Sequence, residues 1–307
     1  MSPTHLRIAT RGSALALAQT ELAAAALRQT HPGITVELVT ITTQGDRDRT
    51  TPLSTLGGQG VFVASVREAV LDGRADLAMH SLKDVPTTPV AGLTIAAMME
   101  RADPRDVFIG RNGARLADLV EGARVGTSAT RRKALLRALR PDLVTTEIRG
   151  NVDTRIAKVA SGEVDGVVLA AAGIKRLGRE AEITQYFDAG AFLPSPGQGV
   201  IALECRADDE ATRTALDALD DADSRAAVTA ERAVLAALGT GCNLAVGAFA
   251  RVEGDLLNLR AMLGGDVDGT EPLFGEAAAP VEEAEALGRG MGERLKEMYE
   301  SRYGVTS

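Results

Sequence analysis

The chain has 307 residues, of which 45% are hydrophobic, and a formal net charge of −8. This length exceeds what one ordinary hydrophobic core needs, so two or three domains are expected. The negative charge gives no overall electrostatic support for nucleic-acid binding. The sequence shows neither an apolar run long enough to span a bilayer nor a secretory stretch at its start. We therefore expect a cytoplasmic protein with no membrane partner.

The first hundred residues alternate between strand-like and helix-like segments. A short apolar strand over 6–10 precedes a helix over 13–29, which Ser13 caps and Pro32 with Gly33 ends. A strand follows at 34–42, then a polar Gly-rich loop at 45–60, a helix at 61–71, and strands at 75–79 and 93–98. This alternation predicts βαβ units and a mostly parallel sheet.

A charged segment with a proline, residues 101–106, interrupts this pattern, and a second βα series follows it. Its predicted strands lie at 124–128, 143–148 and 166–172, and its predicted helices lie between them at 129–139 and 152–160. A second segment rich in Pro and Gly, 193–199, leads into a strand at 200–204. Two such interruptions predict two lobes, with the chain passing out and back, and a ligand cleft between them.

The pattern changes again near residue 223. An Ala-rich helix at 224–238 precedes three strand-like segments at 245–252, 256–263 and 271–277. A terminal helix follows at 281–302. Grouped strands flanked by helices indicate a small α+β domain. The predicted domains are a first lobe over 1–100 with 199–220, a second over 104–194, and a C-terminal domain over 222–307.

Lys83 and Asp84 place a cation and an acid side by side just after the predicted strand at 75–79. Pro86 prevents a helix at this point, so both residues should lie on a loop at the carboxyl end of the strand. Open α/β sheets bind their ligands at such ends. The alternative is an ordinary solvated ion pair.

Two successive strand-to-helix turns in the second series combine hydroxyl groups, backbone N–H groups and arginines. These groups together form a typical anion site, and two such sites suit a ligand with several carboxylates better than a single phosphate. Helix capping with an exposed basic face is the alternative. The residues of the two turns are Thr127, Ser128, Arg131 and Arg132, then Arg149, Gly150 and Arg155.

The two cysteines have different surroundings. Cys205 lies in a predicted strand, where a buried, inert thiol is expected. Cys242 follows glycines in a loop, and an accessible thiol is a candidate nucleophile or attachment point. A free loop thiol without a role is equally open, and two cysteines indicate neither a disulfide framework nor a metal site. His80, at the edge of a buried strand, is interpreted as a core histidine rather than a base.

The order and spacing of these motifs resemble the porphobilinogen deaminase (hydroxymethylbilane synthase) family over essentially the whole chain. Each motif alone is weak evidence for the family, whereas the order and spacing of all of them together are specific to it. The motifs are TRGS at 10–13, GGQGVF at 57–62, HSLKDVP at 80–86, DPRD at 103–106, GTS at 126–128 with Arg131 and Arg132, RGNVDTR at 149–155, AAGIKRLG at 171–178, PGQG at 196–199 and GC at 241–242.

This resemblance implies an α/β fold of two periplasmic-binding-protein-like βα lobes plus the small C-terminal α+β domain. It also implies a transferase of tetrapyrrole and heme biosynthesis with a dipyrromethane cofactor, joined to Cys242 by a thioether. Four porphobilinogen molecules are deaminated and added head-to-tail to this primer, and hydroxymethylbilane is released. The small-molecule substrate is the implied partner, and a monomer without a metal is expected.

The resemblance also carries roles to individual positions. Asp84 becomes the catalytic residue, able to protonate the departing amine, hold the positive pyrrole N–H and accept the ring proton. The implied cofactor-binding residues are Cys242, Lys83, Asp84, Thr127, Ser128, Arg131, Arg132, Arg149 and Arg155. The implied substrate-binding residues are Arg11, Ser13, Gln19, Phe62, Arg176 and Gln198.

Four residues depart from the family's usual pattern: Gln59, Ala129, Asn243 and Ala245. The first two remove possible ligand contacts, and the last two alter the stiffness of the loop after the cysteine. The leading alternative is a non-enzymatic two-lobed binding protein for a carboxylate-rich ligand, in which Cys242 has no role. A cysteine hydrolase is disfavoured because no histidine is an evident partner for the thiol.

Overall fold

The computed structural model describes residues 3–42, 61–239, 244–264 and 270–304. The chain divides into two compact units, Met1–Ala102 with Gly199–Arg225, and Asp103–Gln198 with Ala226–Ser307. The chain changes unit three times: twice within the interruptions that the sequence predicts, and once between Arg225 and Ala226, near the change of pattern at residue 223. The boundaries that the sequence predicts for the two lobes and the C-terminal domain stay a prediction.

Thirteen strands and eight α-helices lie in the described ranges. The strands are β1 (His5–Arg11), β2 (Thr35–Ile41), β3 (Leu77–Ser81), β4 (Leu93–Met98), β5 (Asp106–Gly110), β6 (Arg124–Gly126), β7 (Val144–Thr146), β8 (Gly166–Ala170), β9 (Gln185–Tyr186), β10 (Ile201–Arg206), β11 (Ala245–Glu253), β12 (Leu256–Gly264) and β13 (Leu273–Pro280). The helices are α1 (Ala14–Thr30), α2 (Val61–Leu71), α3 (Thr130–Leu139), α4 (Val152–Ala160), α5 (Ala171–Arg176), α6 (Glu210–Asp217), α7 (Ala222–Ala237) and α8 (Ala284–Tyr303).

The sheet of the first unit has the strand order β2-β1-β3-β10-β4. Strand β1 runs parallel to β2 and β3, whereas β10 runs antiparallel to β3 and β4. The sheet is therefore mixed rather than mostly parallel, because β10 belongs to the segment that returns to this unit. Helix α1 begins where the sequence predicts, since the Ser13 hydroxyl accepts a hydrogen bond from the Ala16 N–H at 3.3 Å.

The second unit contains a sheet with the same plan, in the order β7-β6-β8-β5-β9. Here β6 runs parallel to β7 and β8, and β5 runs antiparallel to β8. Strand β5 begins at the last residue of the first interruption, and β10 follows the second. The two sheets have the same topology, and each contains a strand that begins just after the chain changes unit. This arrangement confirms the predicted two-lobed α/β fold.

The C-terminal part of the second unit is an antiparallel sheet of β11, β12 and β13 with helices α7 and α8. The two helices approach closely at Gly288, where an added Cβ would lie 2.1 Å from the Ala230 carbonyl oxygen. The buried Glu231 carboxylate accepts hydrogen bonds from the Ala250 N–H at 2.8 Å and the Gly197 N–H at 2.7 Å. The predicted small α+β domain is thus confirmed.

Strand β5 and helix α6 are the main elements that the sequence did not predict. The start of β5, Asp106, lies in the charged segment that was interpreted as an interruption, although all five residues of the strand are buried. A buried acidic residue at this position requires partners that are distant in the sequence. Helix α6 is short, and the Asp209 carboxylate caps it by accepting the Thr212 N–H at 3.0 Å.

Each lobe contains a buried carboxylate on the strand that runs antiparallel to its neighbours. In the first lobe, Glu204 on β10 receives two hydrogen bonds from Arg67, at 2.7 and 2.8 Å, and its Oε2 lies 3.1 Å from His80 Nε2. In the second, Asp106 on β5 lies 2.8 Å from both Arg131 and Arg132. A carboxylate removed from water is stable only with such partners.

The charge of Glu204 depends on these contacts. Burial alone raises the pKa of a carboxyl group, but the hydrogen bonds from His80 and Arg67 outweigh it and lower the pKa of Glu204 from 4.5 to about 2. A carboxyl group whose pKa is lower in the folded than in the unfolded state contributes stability above the unfolded pKa. This contribution disappears as the pH falls through the folded pKa.

We predict that Glu204→Gln makes the free energy of unfolding less dependent on pH between about 4.5 and about 2. Over this window the wild-type protein should lose on the order of 3 kcal/mol more than the variant, since the glutamine has no proton to bind. Urea unfolding at a series of pH values measures the difference. Parallel pH profiles for the two proteins would contradict the ionised, paired state of Glu204.

We also predict that Gly166→Ala destabilises the second lobe. An added Cβ would lie 2.1 Å from Cζ of Phe108, which is fully buried and has no room to move. Overpacking of this kind costs roughly 1–3 kcal/mol and should lower the midpoint of urea unfolding. The matched control is Gly290→Ala in α8, where nothing lies within 4 Å and alanine favours the helix. Equal midpoints for both variants would contradict the packing described here.

Candidate functional site

A pocket lies at the carboxyl ends of β1 and β3 in the first lobe. Its position agrees with the expectation that open α/β sheets bind ligands at this edge. The polar residues that line it are Arg11, Ser13, Gln19, His80, Ser81 and Asp84. The apolar residues that line it are Leu15, Ala16, Val63, Val66 and Met79.

Asp84 reaches this pocket from a short 3-10 helix, Leu82–Asp84, that directly follows β3. Two backbone hydrogen bonds fix this turn: the Leu82 N–H donates to the Val200 carbonyl at 3.0 Å, and the Val85 N–H donates to the Leu82 carbonyl at 3.0 Å. Leu82 is buried, whereas Lys83 and Asp84 are half-buried. The acid and the cation therefore lie beyond the strand end, in the order that the sequence implies.

Gln19 and Ser81 form one wall of the pocket. The Gln19 side chain is buried, and its amide lies 3.0 Å from the Ser81 hydroxyl. Arg11 at the end of β1 and Ser13 at the start of α1 complete the polar wall. The Phe62 side chain and the Gly-rich loop, also predicted to line the site, lie outside the described residues.

The second lobe has a buried cluster of Arg131, Arg132, Asp106 and Gln198. Arg131 donates to the Leu193 carbonyl at 2.5 Å, and Arg132 donates to the Val168 carbonyl at 2.9 Å. Gln198 donates to Asp106 at 2.9 Å and to the Pro104 carbonyl at 2.7 Å. These contacts hold the two guanidinium groups and the Gln198 amide in fixed positions inside the lobe.

This cluster has two arginines for one carboxylate, so it retains an excess positive charge. Burial by itself raises the pKa of Asp106, but the charges of Arg131 and Arg132 lower it well below its ordinary value. In the described part of the chain, the buried Nε of Arg132 has no hydrogen-bond partner. A buried donor on an excess cation favours an anionic group from outside this cluster.

The other predicted residues of the second lobe lie near the carboxyl ends of its parallel strands. The Thr127 hydroxyl accepts the Ala129 N–H at 3.2 Å, and no side chain caps the start of α3. Arg155 donates to the Gly150 carbonyl at 2.9 Å. Gly150 has φ of +109°, and an added Cβ would lie 2.6 Å from Thr154, so the turn requires glycine.

Further along this edge, Ser128 directly follows Thr127, and Arg149 precedes the Gly150 turn. Both residues are half-buried. Arg176 ends α5, and burial lowers the pKa of its guanidinium to about 10. A guanidinium removed from water in this way favours a carboxylate partner.

Of the two cysteines, Cys205 lies in the described part of the chain. Cys205 is fully buried in β10, and burial raises the pKa of its thiol to about 11. The prediction of an inert thiol is therefore confirmed for Cys205, because the thiolate is the reactive form. Cys242 lies outside the described residues, as do Gln59 and Asn243.

Three residues of these sites were missed by reasoning from the sequence: Arg67, Glu204 and Asp106. The available signal was a single acidic residue within an apolar strand, at Glu204 in IALEC and at Asp106 in DVFIG. Such a residue implies a cation packed against the strand, although the sequence does not say which one. In the ranges that the structure describes, no group of His, Cys, Asp and Glu side chains is arranged to hold a metal ion. No helix there is long and apolar enough to cross a membrane.

Comparison with solved structures gives only weak likenesses. The VFT2 domain of Bordetella pertussis BvgS has 16% identity and a TM-score of 0.43, over 70% of this chain and 86% of that chain. A ligand binding component of an ABC-type import system from Staphylococcus aureus has 14% identity and a TM-score of 0.40, over 76% and 73%. The fold assignment rests instead on the strand order and direction of the two sheets.

Comparison of sequences identifies the family of this chain. The family model for the dipyromethane cofactor binding domain of porphobilinogen deaminase matches residues 6–214, and the model for its C-terminal domain matches 225–297. A porphobilinogen deaminase from Roseiflexus sp. (strain RS-1) is 51% identical over 259 residues, 84% of this chain and 86% of the relative. That of Roseiflexus castenholzii is 47% identical over 290 residues, 94% and 95%. The chain therefore belongs to the porphobilinogen deaminase family.

Proposed function

We propose that this protein is a transferase of tetrapyrrole biosynthesis that joins four porphobilinogen molecules head-to-tail and releases hydroxymethylbilane. The observation that carries the proposal is the pocket at the carboxyl ends of β1 and β3, in which Asp84 lies among Arg11, Ser13 and Gln19. It occurs within residues 6–214, the range matched by the cofactor-binding family model. A carboxylate for a developing cation and a guanidinium for substrate carboxylates are what this substrate needs.

The chemistry assigned to Asp84 follows from the charge that develops on the substrate. Porphobilinogen loses ammonia from its aminomethyl group, and the remaining methylene carbon becomes a cation conjugated with the pyrrole N–H. The Asp84 carboxylate stabilises this positive N–H, while Arg11, Ser13 and Arg176 bind the acetate and propionate groups of the substrate. The buried turn before Asp84 fixes its position, so little reorganisation is needed in each cycle.

The cofactor is dipyrromethane, and when bound it supplies the free pyrrole carbon to which the first substrate is joined. Its carboxylates match the positive residues of this chain: the excess charge and the buried Nε donor of the Arg132 cluster fit an anionic group. We assign its binding to Lys83, Asp84, Thr127, Ser128, Arg131, Arg132, Arg149 and Arg155. We assign its thioether bond to Cys242.

Further assignments from the sequence remain predictions: Gln198 and Phe62 as substrate contacts, a monomeric state, a cytoplasmic location, and no nucleic-acid or membrane partner. Gln198 is fully buried and donates to Asp106 and Pro104, so its contribution to substrate binding would act through the position of Asp106.

We predict that Asp84→Asn keeps the fold and the attached cofactor but loses turnover on the order of 10²–10⁴-fold, because the amide keeps the shape and lacks the charge. Steady-state formation of hydroxymethylbilane measures the effect. Asp72→Asn is the matched control, since Asp72 is an exposed carboxylate of the same lobe. Turnover by Asp84→Asn close to that of the control would contradict the role of Asp84.

We predict that the intact mass of the denatured protein exceeds the sequence mass by two porphobilinogen units less the ammonia that each loses. A thioether survives denaturation, whereas a reversibly bound ligand does not. Cys242→Ser should show the bare mass, and Cys205→Ser should keep the addition because Cys205 is buried and its thiol pKa is raised.

The protein for this measurement is made in a host that supplies porphobilinogen. A wild-type preparation with only the bare mass, which also forms no adduct on incubation with porphobilinogen, would contradict the proposed function. That result would favour a non-enzymatic protein that binds a carboxylate-rich ligand.

A further inference from the structure

His80 belongs both to the buried charge cluster of the first lobe and to the lining of the Asp84 pocket. His80 is 5% exposed, and its Nε2 lies 3.1 Å from Glu204 Oε2. It is also one of the polar residues that line the pocket, together with Asp84 and Ser81. A core histidine that only satisfies a buried carboxylate has no need to reach the site of the chemistry.

The cluster fixes which ring nitrogen is free to act. Glu204 is ionised, and Arg67 binds both of its oxygens, at 2.7 and 2.8 Å. Since a carboxylate only accepts hydrogen bonds, Nε2 of His80 must carry the proton that it donates to Glu204. In the neutral ring, Nδ1 is then the acceptor, and no hydrogen bond joins it to another described residue. A carboxylate sets the tautomer and direction of the catalytic histidine in hydrolases in the same way.

The proposed reaction needs a second proton acceptor. Aliphatic amines are protonated at neutral pH, so ammonia can leave without a proton from Asp84. When the new C–C bond forms, the attacked ring must lose its proton. If Asp84 accepted that proton, it would no longer stabilise the cation of the next cycle. Of the side chains that line the pocket in the described ranges, those of Asp84 and His80 belong to the residue types that act as general bases.

We propose that His80 is a second catalytic residue that accepts the ring proton at Nδ1, with Glu204 and Arg67 as positioning residues. The substrate C–N bond breaks and ammonia leaves with the electron pair. The methylene carbon then bonds to the free ring carbon of the growing chain, the C–H bond at that carbon breaks, and its electrons return to the ring. The proton passes to His80 and from there to ammonia, which leaves as ammonium. This inference rests on the proposed function.

The first test compares His80→Gln with Asp76→Asn in the cofactor-loaded protein. Glutamine can still donate a hydrogen bond to Glu204 but cannot accept the ring proton. We expect kcat to fall on the order of 10²-fold with a smaller change in KM. With porphobilinogen deuterated at its free ring carbon, the isotope effect on kcat should be larger for His80→Gln than for the wild-type protein. Asp76 pairs with Arg7 at 2.8 Å just before β3, at the opposite end of the strand from His80, so its variant should keep the wild-type kcat and isotope effect.

The second test does not depend on activity. The chain has three histidines, so ¹⁵N NMR of the holo-protein can be assigned with His5 and His31 variants. We expect the His80 ring to show protonated Nε2 and unprotonated Nδ1, and Glu204→Gln to weaken that preference. A ring with protonated Nδ1 and unprotonated Nε2 would overturn the inference.

The outcomes separate this inference from the proposed function. If His80→Gln has the wild-type kcat and isotope effect while Asp84→Asn is inactive, the role of His80 is overturned and the proposed function stays intact. Turnover by Asp84→Asn would instead contradict the proposed function itself. If His80→Gln does not fold with its cofactor, Glu204→Gln takes its place, because it keeps the imidazole and removes the carboxylate that orients it. An unchanged isotope effect in that variant would equally overturn the inference.

Discussion

The structure depends on the pairing of one buried carboxylate with arginine in each lobe. Glu204 and Asp106 both lie on the strand that enters its sheet after a crossing and runs antiparallel to its neighbours. An unpaired carboxylate at either position would cost several kcal/mol, so each strand can be buried only when its cationic partner is in place. The pairing therefore ties Arg67 of α2 to β10, and Arg131 and Arg132 of α3 to β5.

The same constraint prepares the two sites, but in different ways. In the first lobe, the Arg67 guanidinium balances the Glu204 charge, and the hydrogen bond to Glu204 orients the His80 ring beside the pocket. In the second lobe, Arg131 and Arg132 share Asp106, and an excess positive charge remains. Because protein contacts already hold these guanidinium groups, binding of a carboxylate would require little further loss of side-chain entropy. Buried pairing and ligand binding are thus compatible roles for one arginine.

Local patterns in the sequence were sufficient for the elements that local interactions determine. Ser13 caps α1, and the apolar strand around Cys205 predicts a buried thiol, because each signal lies within a few residues of its effect. The partners of Glu204 and Asp106 could not be predicted in this way. Arg67 and Glu204 are 137 residues apart, and Asp106 and Arg132 are 26 apart, so no periodicity connects them. Strand β5 was missed for the same reason.

The family motifs combine residues of two kinds, which only the geometry separates. In PGQG, Gln198 is buried on Asp106 and the Pro104 carbonyl, and Gly199 has φ of +97°, where an added Cβ would lie 2.6 Å from the Ala102 carbonyl oxygen. In DPRD, Asp103 accepts hydrogen bonds from Arg105 and Lys175, and Asp106 binds the paired arginines. These residues are explained by folding, whereas in HSLKDVP Asp84 and His80 line a pocket. A shared motif therefore establishes the fold, and a residue becomes a candidate for chemistry only when its side chain reaches a site.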